Sequence, residues 1–486
     1  IAIVLAAALV AACQVSSDEG KDMSEMQVQA AGTAADATVA NTAIQDPNLW
    51  LEEVEGDAAL TWVRAQNERS LGELESDPDY ADNHRKALDV VNSTDSIPYG
   101  VIRDGLVYNF WQDETHVRGL WRRTPLASYE TEAPEWETVL DFDALAVAED
   151  KNWVYKGADC FKPHGGEMYL CMVSLSDGGK DAVINREFDL EAKTFVAGGF
   201  VTAEAKQGTA WVDADTLLVA TDWGGDGSTL TTSGYPSSVR LWKRGEALEE
   251  ASELFAGAAD DVGVWPFSSE LEDGRMIWGA VRADTFFTSA YWLLSEGDPL
   301  QIPVPEKSSL GGVYKGNQFV TLQEDWAVNG QGETFQIGDL VAFNLDQFLA
   351  TRTLPPVELV FRANARQAVN GVSVAKSAAL LSINDNVIGK ILKLEPGESG
   401  WTTQEIALPG KGQAAVVFAD KDEGTAFLNY EGFLTPDSLL GLDTASAELT
   451  TLKSLPAKFD TDGLVVEQRE AVSKDGTRVP YFIVHR

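Results

Sequence analysis

The sequence predicts a mainly β chain: a seven-bladed β-propeller behind an N-terminal helical appendage. Three observations carry that expectation. From residue 93 to 457, short apolar and aromatic runs alternate with Gly, Asp, Asn and Ser, as strands and turns do. Pairs of such runs recur from Leu106, Met168, Thr216, Met276, Gln318, Ala379 and Ala426. That makes seven starts at a mean spacing of roughly 53 residues, close to the ~40–50 of blade-type repeats. No stretch of helical period separates the runs, which disfavours a parallel βαβ sheet. Seven hairpin-bearing units of this size fit seven four-stranded blades. A pair of large sandwiches is the alternative, and the regular spacing argues against it.

The elements follow in order. Ile1 to Ala12 is almost wholly apolar and too short to span a bilayer, which takes roughly 20 helical residues. Residues 1–12 therefore read as an export signal. Val10-Ala11-Ala12-Cys13 looks like a bacterial lipobox, which makes Cys13 the expected lipid anchor. An ordinary signal peptide with a chance cysteine is the alternative. The sequence opens without an initiator Met or a basic segment, so some residues are expected to precede Ile1. Residues 13–45 carry no aromatic side chain and are rich in Ala, Ser, Thr, Asp and Glu, the composition of a flexible tether. Residues 46–92 form the helical appendage, with Asp57 as its expected cap and Leu60, Val63, Leu71 and Leu74 on one face. So narrow a stripe needs something to pack against.

Composition excludes some partners. With 44% hydrophobic residues and 14 Trp the chain can bury sizeable cores. Its 76 acidic residues against 37 basic ones give a formal charge of −39. A surface that negative repels phosphate backbones, so no nucleic-acid partner is expected.

Residues 458–486 differ from the repeats. Leu464 to Glu470 and Val479 to Val484 flank Ser473-Lys474-Asp475-Gly476-Thr477, a hairpin signal centred on Asp-Gly. The sequence stops on an apolar strand at His485-Arg486, and a continuation is expected.

Taken in order, several segments resemble the prolyl oligopeptidase family of serine peptidases. Asp46-Pro47-Asn48-Leu49-Trp50-Leu51-Glu52-Glu53-Val54-Glu55-Gly56 and Trp62-Val63-Arg64-Ala65-Gln66-Asn67 are similar to that family's start. Arg118 to Thr124, Ser233-Gly234-Tyr235-Pro236 and Leu241-Trp242-Lys243-Arg244-Gly245 look like one bacterial branch. Ser473 to Pro480 resembles the passage into the family's hydrolase domain. The resemblance implies that residues 458–486 are the first strands of an α/β-hydrolase domain carrying a Ser-Asp-His triad downstream of Arg486. It implies that the propeller admits only short peptides and that the helical appendage packs on the hydrolase domain. No cofactor or metal is implied, and a monomer is expected. With Cys13 as anchor and Gln14 after it, the expected location is the periplasmic face of an outer membrane. A free-standing binding propeller is the rival reading, and basic or dipeptide-releasing cleavage rules are alternatives to a prolyl one.

Within the sequence itself no catalytic site is expected. Acyl transfer by serine needs a G-x-S-x-G elbow, and none occurs. Ser176 and Ser399 are the nearest misses and read as turn serines. His164-Gly165-Gly166 has no elbow after it, and His84, His116 and His485 lack metal-ligand spacing. Asp222-Trp223-Gly224-Gly225-Asp226-Gly227 reads as a Gly-rich blade loop rather than a calcium or phosphate site. Cys160 and Cys171, on one expected hairpin, favour a disulfide in an exported protein, with two buried thiols as the alternative.

Overall fold

The computed structural model describes residues 46–486, apart from residues 54, 92–94, 164–165, 167–168, 296 and 399. It divides into a helical unit and, from residue 94 to Arg486, a β unit.

The helical unit holds two helices, α1 (Asp57–Leu74) and α2 (Tyr80–Val91), where the sequence suggested one continuous stretch. Pro78 explains the break, because its preceding residue is steered away from helical dihedrals. The cap also differs: Gly56 stands at the cap position, and Asp57 is the first helical residue. Trp62, Val63, Leu71 and Leu74 all remain exposed, and Trp50 meets Trp62 edge-to-face at 6.4 Å.

The β unit contains seven four-stranded antiparallel sheets. They occupy residues 100–141, 153–195, 208–256, 263–301, 308–361, 367–405 and 412–454, here called blades 1 to 7. The recurring apolar runs are the second strands of these blades, such as Leu106–Trp111, Thr216–Ala220 and Met276–Ala283. Those strands are the most buried of each sheet, which is why they read so clearly: Leu217, Leu218, Val219 and Ala220 are wholly inaccessible. Leu106–Trp111 pairs with Leu120–Pro125, and Leu217 stands opposite Trp242.

Seven apolar clusters join successive blades. Tyr108, Trp121 and Phe142 of blade 1 and its following helix pack on Trp153, Val173 and Phe188 of blade 2. Between blades 6 and 7, Leu380 and Ile391 meet Ala426, Leu428 and Leu440. A Cβ on Gly389 of blade 6 would lie 2.3 Å from the Ala414 amide nitrogen of blade 7, so that approach requires glycine. The ring closes between blades 7 and 1 through Phe427 and Leu439 against Ile102, Val107 and Tyr129. No strand is exchanged across this seam, since each sheet is built from one continuous segment. The first strands of neighbouring blades touch, Trp153–Phe161 with Gly208–Asp213 and Gly208–Asp213 with Gly263–Glu270, so the first strands form the inner wall.

After blade 7, strands Val465–Val472 and Arg478–His485 pair as a two-stranded hairpin. Its turn is the Asp-Gly turn expected from sequence, with Gly476 at φ +86°.

Candidate functional site: a channel with two unlike mouths

Strand alternation gives the ring two faces. One, the turn face, carries the connections from first to second strands. The other, the loop face, carries those from second to third strands and from one blade to the next. The chain reaches blade 1 and leaves blade 7 on the loop face.

Exposed large apolar side chains fall almost wholly on the loop face. Val117, Phe286, Phe287, Ile337, Val387 and Phe433 lie in second-to-third-strand loops, and Val147 and Val201 lie in blade-to-blade connections. Among the described residues of the blades, Val417 is the one further exposed large aliphatic or aromatic side chain, and it sits within a first strand. Phe286 and Phe287 are 80% and 76% exposed and pack on each other edge-to-face. The terminal hairpin rests on this same face. Phe482 packs on Phe433 at 5.1 Å, Gln468 Nε2 donates to the Asn386 carbonyl at 2.6 Å, and Arg366 pairs with Glu470.

Carboxylates, two of them buried, hold the loop face in shape. Asp143 accepts from the amides of Arg118 and Gly119. Asp261, 3% exposed, takes Nε and Nη2 of Arg282 at 2.8 and 2.9 Å. Asp339, 1% exposed, takes Nη2 of Arg362 at 2.7 Å. The Arg282 guanidinium, helped by the Ala258 amide, holds the Asp261 carboxyl below the usual carboxylate range. Asp261 ties a blade connection to the end of a second strand and Asp339 ties a loop to a blade connection, so the face is ordered by fork-shaped charge-assisted bonds.

The turn face is charged instead. Asp104 pairs with Lys162 at 2.6 Å, and Lys421 reaches Glu270 at 3.3 Å. On the inner wall of blade 2, Asp159 has its carboxyl pushed up to about 6 by burial, against the opposing pull of Arg103.

The candidate residues read from sequence do not converge. Cys13, His164 and Ser399 lie outside the described residues. Ser176 is not a turn residue: it is buried near the end of strand Leu170–Asp177 and donates to the Lys180 carbonyl. That bond closes the strand's exit and leaves the hydroxyl no path to a base. His84 stacks on Tyr80, His116 bonds Asp113 at 3.1 Å, and His485 faces Glu467 and the Arg486 carbonyl. Among the described residues, none of the three meets a serine or a cysteine. Among the described residues no group of three His, Cys, Asp or Glu side chains is arranged to hold a metal. Asp222 spends both carboxylate oxygens inside its own loop, on the Gly227 amide and the Thr229 hydroxyl. Cys160 and Cys171 stand opposite each other in adjacent strands, and their sulfurs are joined. Sequence reasoning missed Phe286 and Phe287, although two adjacent phenylalanines flanked by Thr in a connection were a usable signal. It also missed Lys421 and Glu270, whose meeting depends on ring closure.

Radial blades, a central channel and an apolar loop face define a seven-bladed β-propeller with no triad assembled among its described residues. The particular family is shown by comparison: the chain belongs to the prolyl oligopeptidase family. Residues 29–455 match "Prolyl oligopeptidase, N-terminal beta-propeller domain". An uncharacterized peptidase, y4nA, of Sinorhizobium fredii is 37% identical over 95% of this chain and 64% of its own length. An uncharacterized peptidase of Rickettsia prowazekii, RP174, is 30% identical over 90% of this chain and 62% of its own. Among solved structures, a post-proline cleaving enzyme from Rickettsia typhi superposes with a TM-score of 0.80 at 28% identity, covering 90% of this chain and 64% of that one. Oligopeptidase B from Trypanosoma brucei shares the fold, with a TM-score of 0.67 at 17% identity over 90% of this chain and 60% of its own. The chain thus spans less than two thirds of the length of these relatives.

Proposed function

We propose that this chain is the substrate-gating part of an exported serine peptidase that hydrolyses short peptides, the catalytic triad being supplied by sequence beyond Arg486. The observation that carries this reading is the loop face. Its exposed apolar side chains, the terminal hairpin seated on Phe433 and the arrival and departure of the chain all share one side of the ring. A folded domain continuing from the hairpin would cover that face and bury side chains that water now wets. Val465, Val472, Val479, Tyr481 and Val484 of the hairpin are themselves exposed, as first strands awaiting neighbours would be. The stripe of Trp62, Val63, Leu71 and Leu74 fits the same missing surface.

The division of labour follows physically. A ring with a narrow channel excludes folded proteins by size, and covering the site displaces water and strengthens the electrostatics of acyl transfer. The cleavage rule belongs to the pocket beside the nucleophile, in the continuation; the similarity to a post-proline cleaving enzyme supports prolyl specificity. Cys13 serves as lipid anchor in this reading and places the enzyme on the periplasmic face of an outer membrane, as a monomer.

The test compares this 486-residue chain with the full reading frame. The full protein is expected to react with a fluorophosphonate probe at a G-x-S-x-G serine and to cleave proline-containing peptides. The chain ending at Arg486 is expected to do neither. A stop codon directly after Arg486, or stoichiometric labelling of a serine within these residues, would overturn the proposal.

A further inference from the structure

The turn face carries first-to-second-strand turns of two kinds. In blades 1, 3, 5 and 6 they are two residues long: 104–105, 214–215, 315–316 and 376–377. In blades 2, 4 and 7 they are extended, to 162–169, 271–275 and 419–424. Because first strands form the inner wall, the turns of blades 4 and 7 begin at the channel mouth, from opposite sides of the ring.

The turn of blade 7 makes contacts that no local hairpin needs. The Glu423 carbonyl accepts from the Lys376 amide of blade 6 at 3.2 Å. The Glu423 carboxyl is raised by burial and by the Asp420 carboxylate, against the opposing pull of the Asp104 and Gly105 amides of blade 1. Lys421 Nζ stands 3.3 Å from Glu270 Oε2, at the base of the long turn of blade 4. Blades 7 and 4 are three places apart in a ring of seven, as far apart as two blades can be. An ion pair between them therefore crosses the mouth. Tyr169, in the long turn of blade 2, is close enough to feel Asp104, Asp420 and Glu423, which, after burial, raise its phenol further. One turn thus touches blades 4 and 6 and lies beside blades 1 and 2.

We propose that residues 419–424 are a plug across the turn-face mouth of the channel, latched to blade 4 by Lys421 and Glu270, so that peptides reach the channel from the loop face alone. The peptide route rests on the peptidase reading above; the plug itself does not. A channel closed at one end cannot be threaded, so a long polypeptide has no exit and the enclosed volume limits substrate length.

The experiment uses the full-length protein with Glu270→Cys and Lys421→Cys together, treated with a short bis-maleimide. The parent protein serves as background for Cys13. Peptide mass spectrometry is expected to find a bridge between positions 270 and 421 in the double variant and in neither single variant. The bridged enzyme is expected to keep its kcat/KM for a short proline peptide within about twofold of the singly capped variants. Absence of the bridge would overturn the plug. A fall in kcat/KM of about tenfold, tracking the extent of bridging, would show that peptides use the turn-face mouth. If the unmodified protein cleaves nothing, the peptidase reading fails, and bridge formation alone judges the plug.

Discussion

The two faces of the ring are made by the same seven sheets and could hardly differ more. The loop face exposes Phe286, Phe287, Ile337 and Phe433 and is braced underneath by Asp261 and Asp339 on their arginines. The turn face exposes charge, keeps four of its seven first-to-second-strand turns at two residues, and ties the longer turns of blades 2 and 7 to blades 1 and 4 with Lys162–Asp104 and Lys421–Glu270. Apolar exposure is costly in water, at about 25 cal/mol for each Å² left wet. Concentrating it on one side is reasonable only if that side is covered. Charge on the other side tolerates water and suits a surface that stays free. In the proposed reading, the loop face is the side that the continuation covers.

The largest expected effect lies under the loop face. Arg282→Ala leaves the Asp261 carboxylate, 3% exposed, without its fork partner. Removing one member of a buried pair costs roughly 3–5 kcal/mol, and the Arg282 side chain, 36% exposed, argues for the low end. The sign with pH is fixed by the pairing. In the parent the carboxyl is held low by Arg282, so its stabilisation is present above the usual carboxylate pKa and lost as pH falls through the lower folded value. In the variant the orphaned carboxyl is raised by burial, so the deficit is largest at neutral pH and shrinks as acid protonates it. Thermal melts of both proteins at neutral and mildly acidic pH check this. A gap that widens on acidification would mean that Asp261 is not the group responsible.

The sequence exposed these two faces unequally. Blade number, strand positions and pairings were legible because second strands such as Leu217 to Ala220 are buried on both sides and read as unbroken apolar runs. Cys160 and Cys171 were legible as a pair because one hairpin holds both. The break between α1 and α2 was written in Ser76-Asp77-Pro78, just past Leu74, the last residue of the apolar stripe. Ser176 looked like a turn residue because Asp177 and Gly178 follow it, whereas the strand runs on through it. The channel mouth was not legible at all. Glu270 and Lys421 are neighbours only because blades 4 and 7 face each other across a closed ring, and no local pattern encodes that.

A middle-sized effect sharpens the contrast from the turn-face side. The bond between Cys160 and Cys171 closes a loop of sequence separation 11 at the root of the long turn of blade 2. The chain-entropy argument gives about 3 kcal/mol for such a loop, and less where the strand ends are already fixed by pairing. The double variant Cys160→Ala/Cys171→Ala is expected to lose about 1–2 kcal/mol, less than Arg282→Ala does. Denaturant titration measures it. Non-reducing mass spectrometry of protein isolated from its native cells must first find no alkylatable thiol at either position; two free thiols there would remove the bridge as a brace of the turn face.

The smallest effect on stability is the sharpest on the comparison. Phe286→Ser/Phe287→Ser changes two side chains that are 80% and 76% exposed and pack chiefly on each other. Surface substitutions away from caps, cores and buried charges stay within about ±0.5 kcal/mol, so the melting temperature of this chain should hardly move. Its behaviour in solution should move a great deal. An apolar patch left wet binds hydrophobic dye and promotes association in spite of the charge of −39, so the double variant is expected to bind less dye and stay monomeric at higher concentration. In the full-length protein the sign reverses. There the two rings are expected to be covered, and replacing them should weaken the contact between propeller and continuation, seen as faster proteolysis between residues 455 and 465. Equal dye binding by parent and variant would mean that the loop face is not the sticky side. Unchanged proteolysis of the full-length variant would mean that some other surface holds the continuation in place.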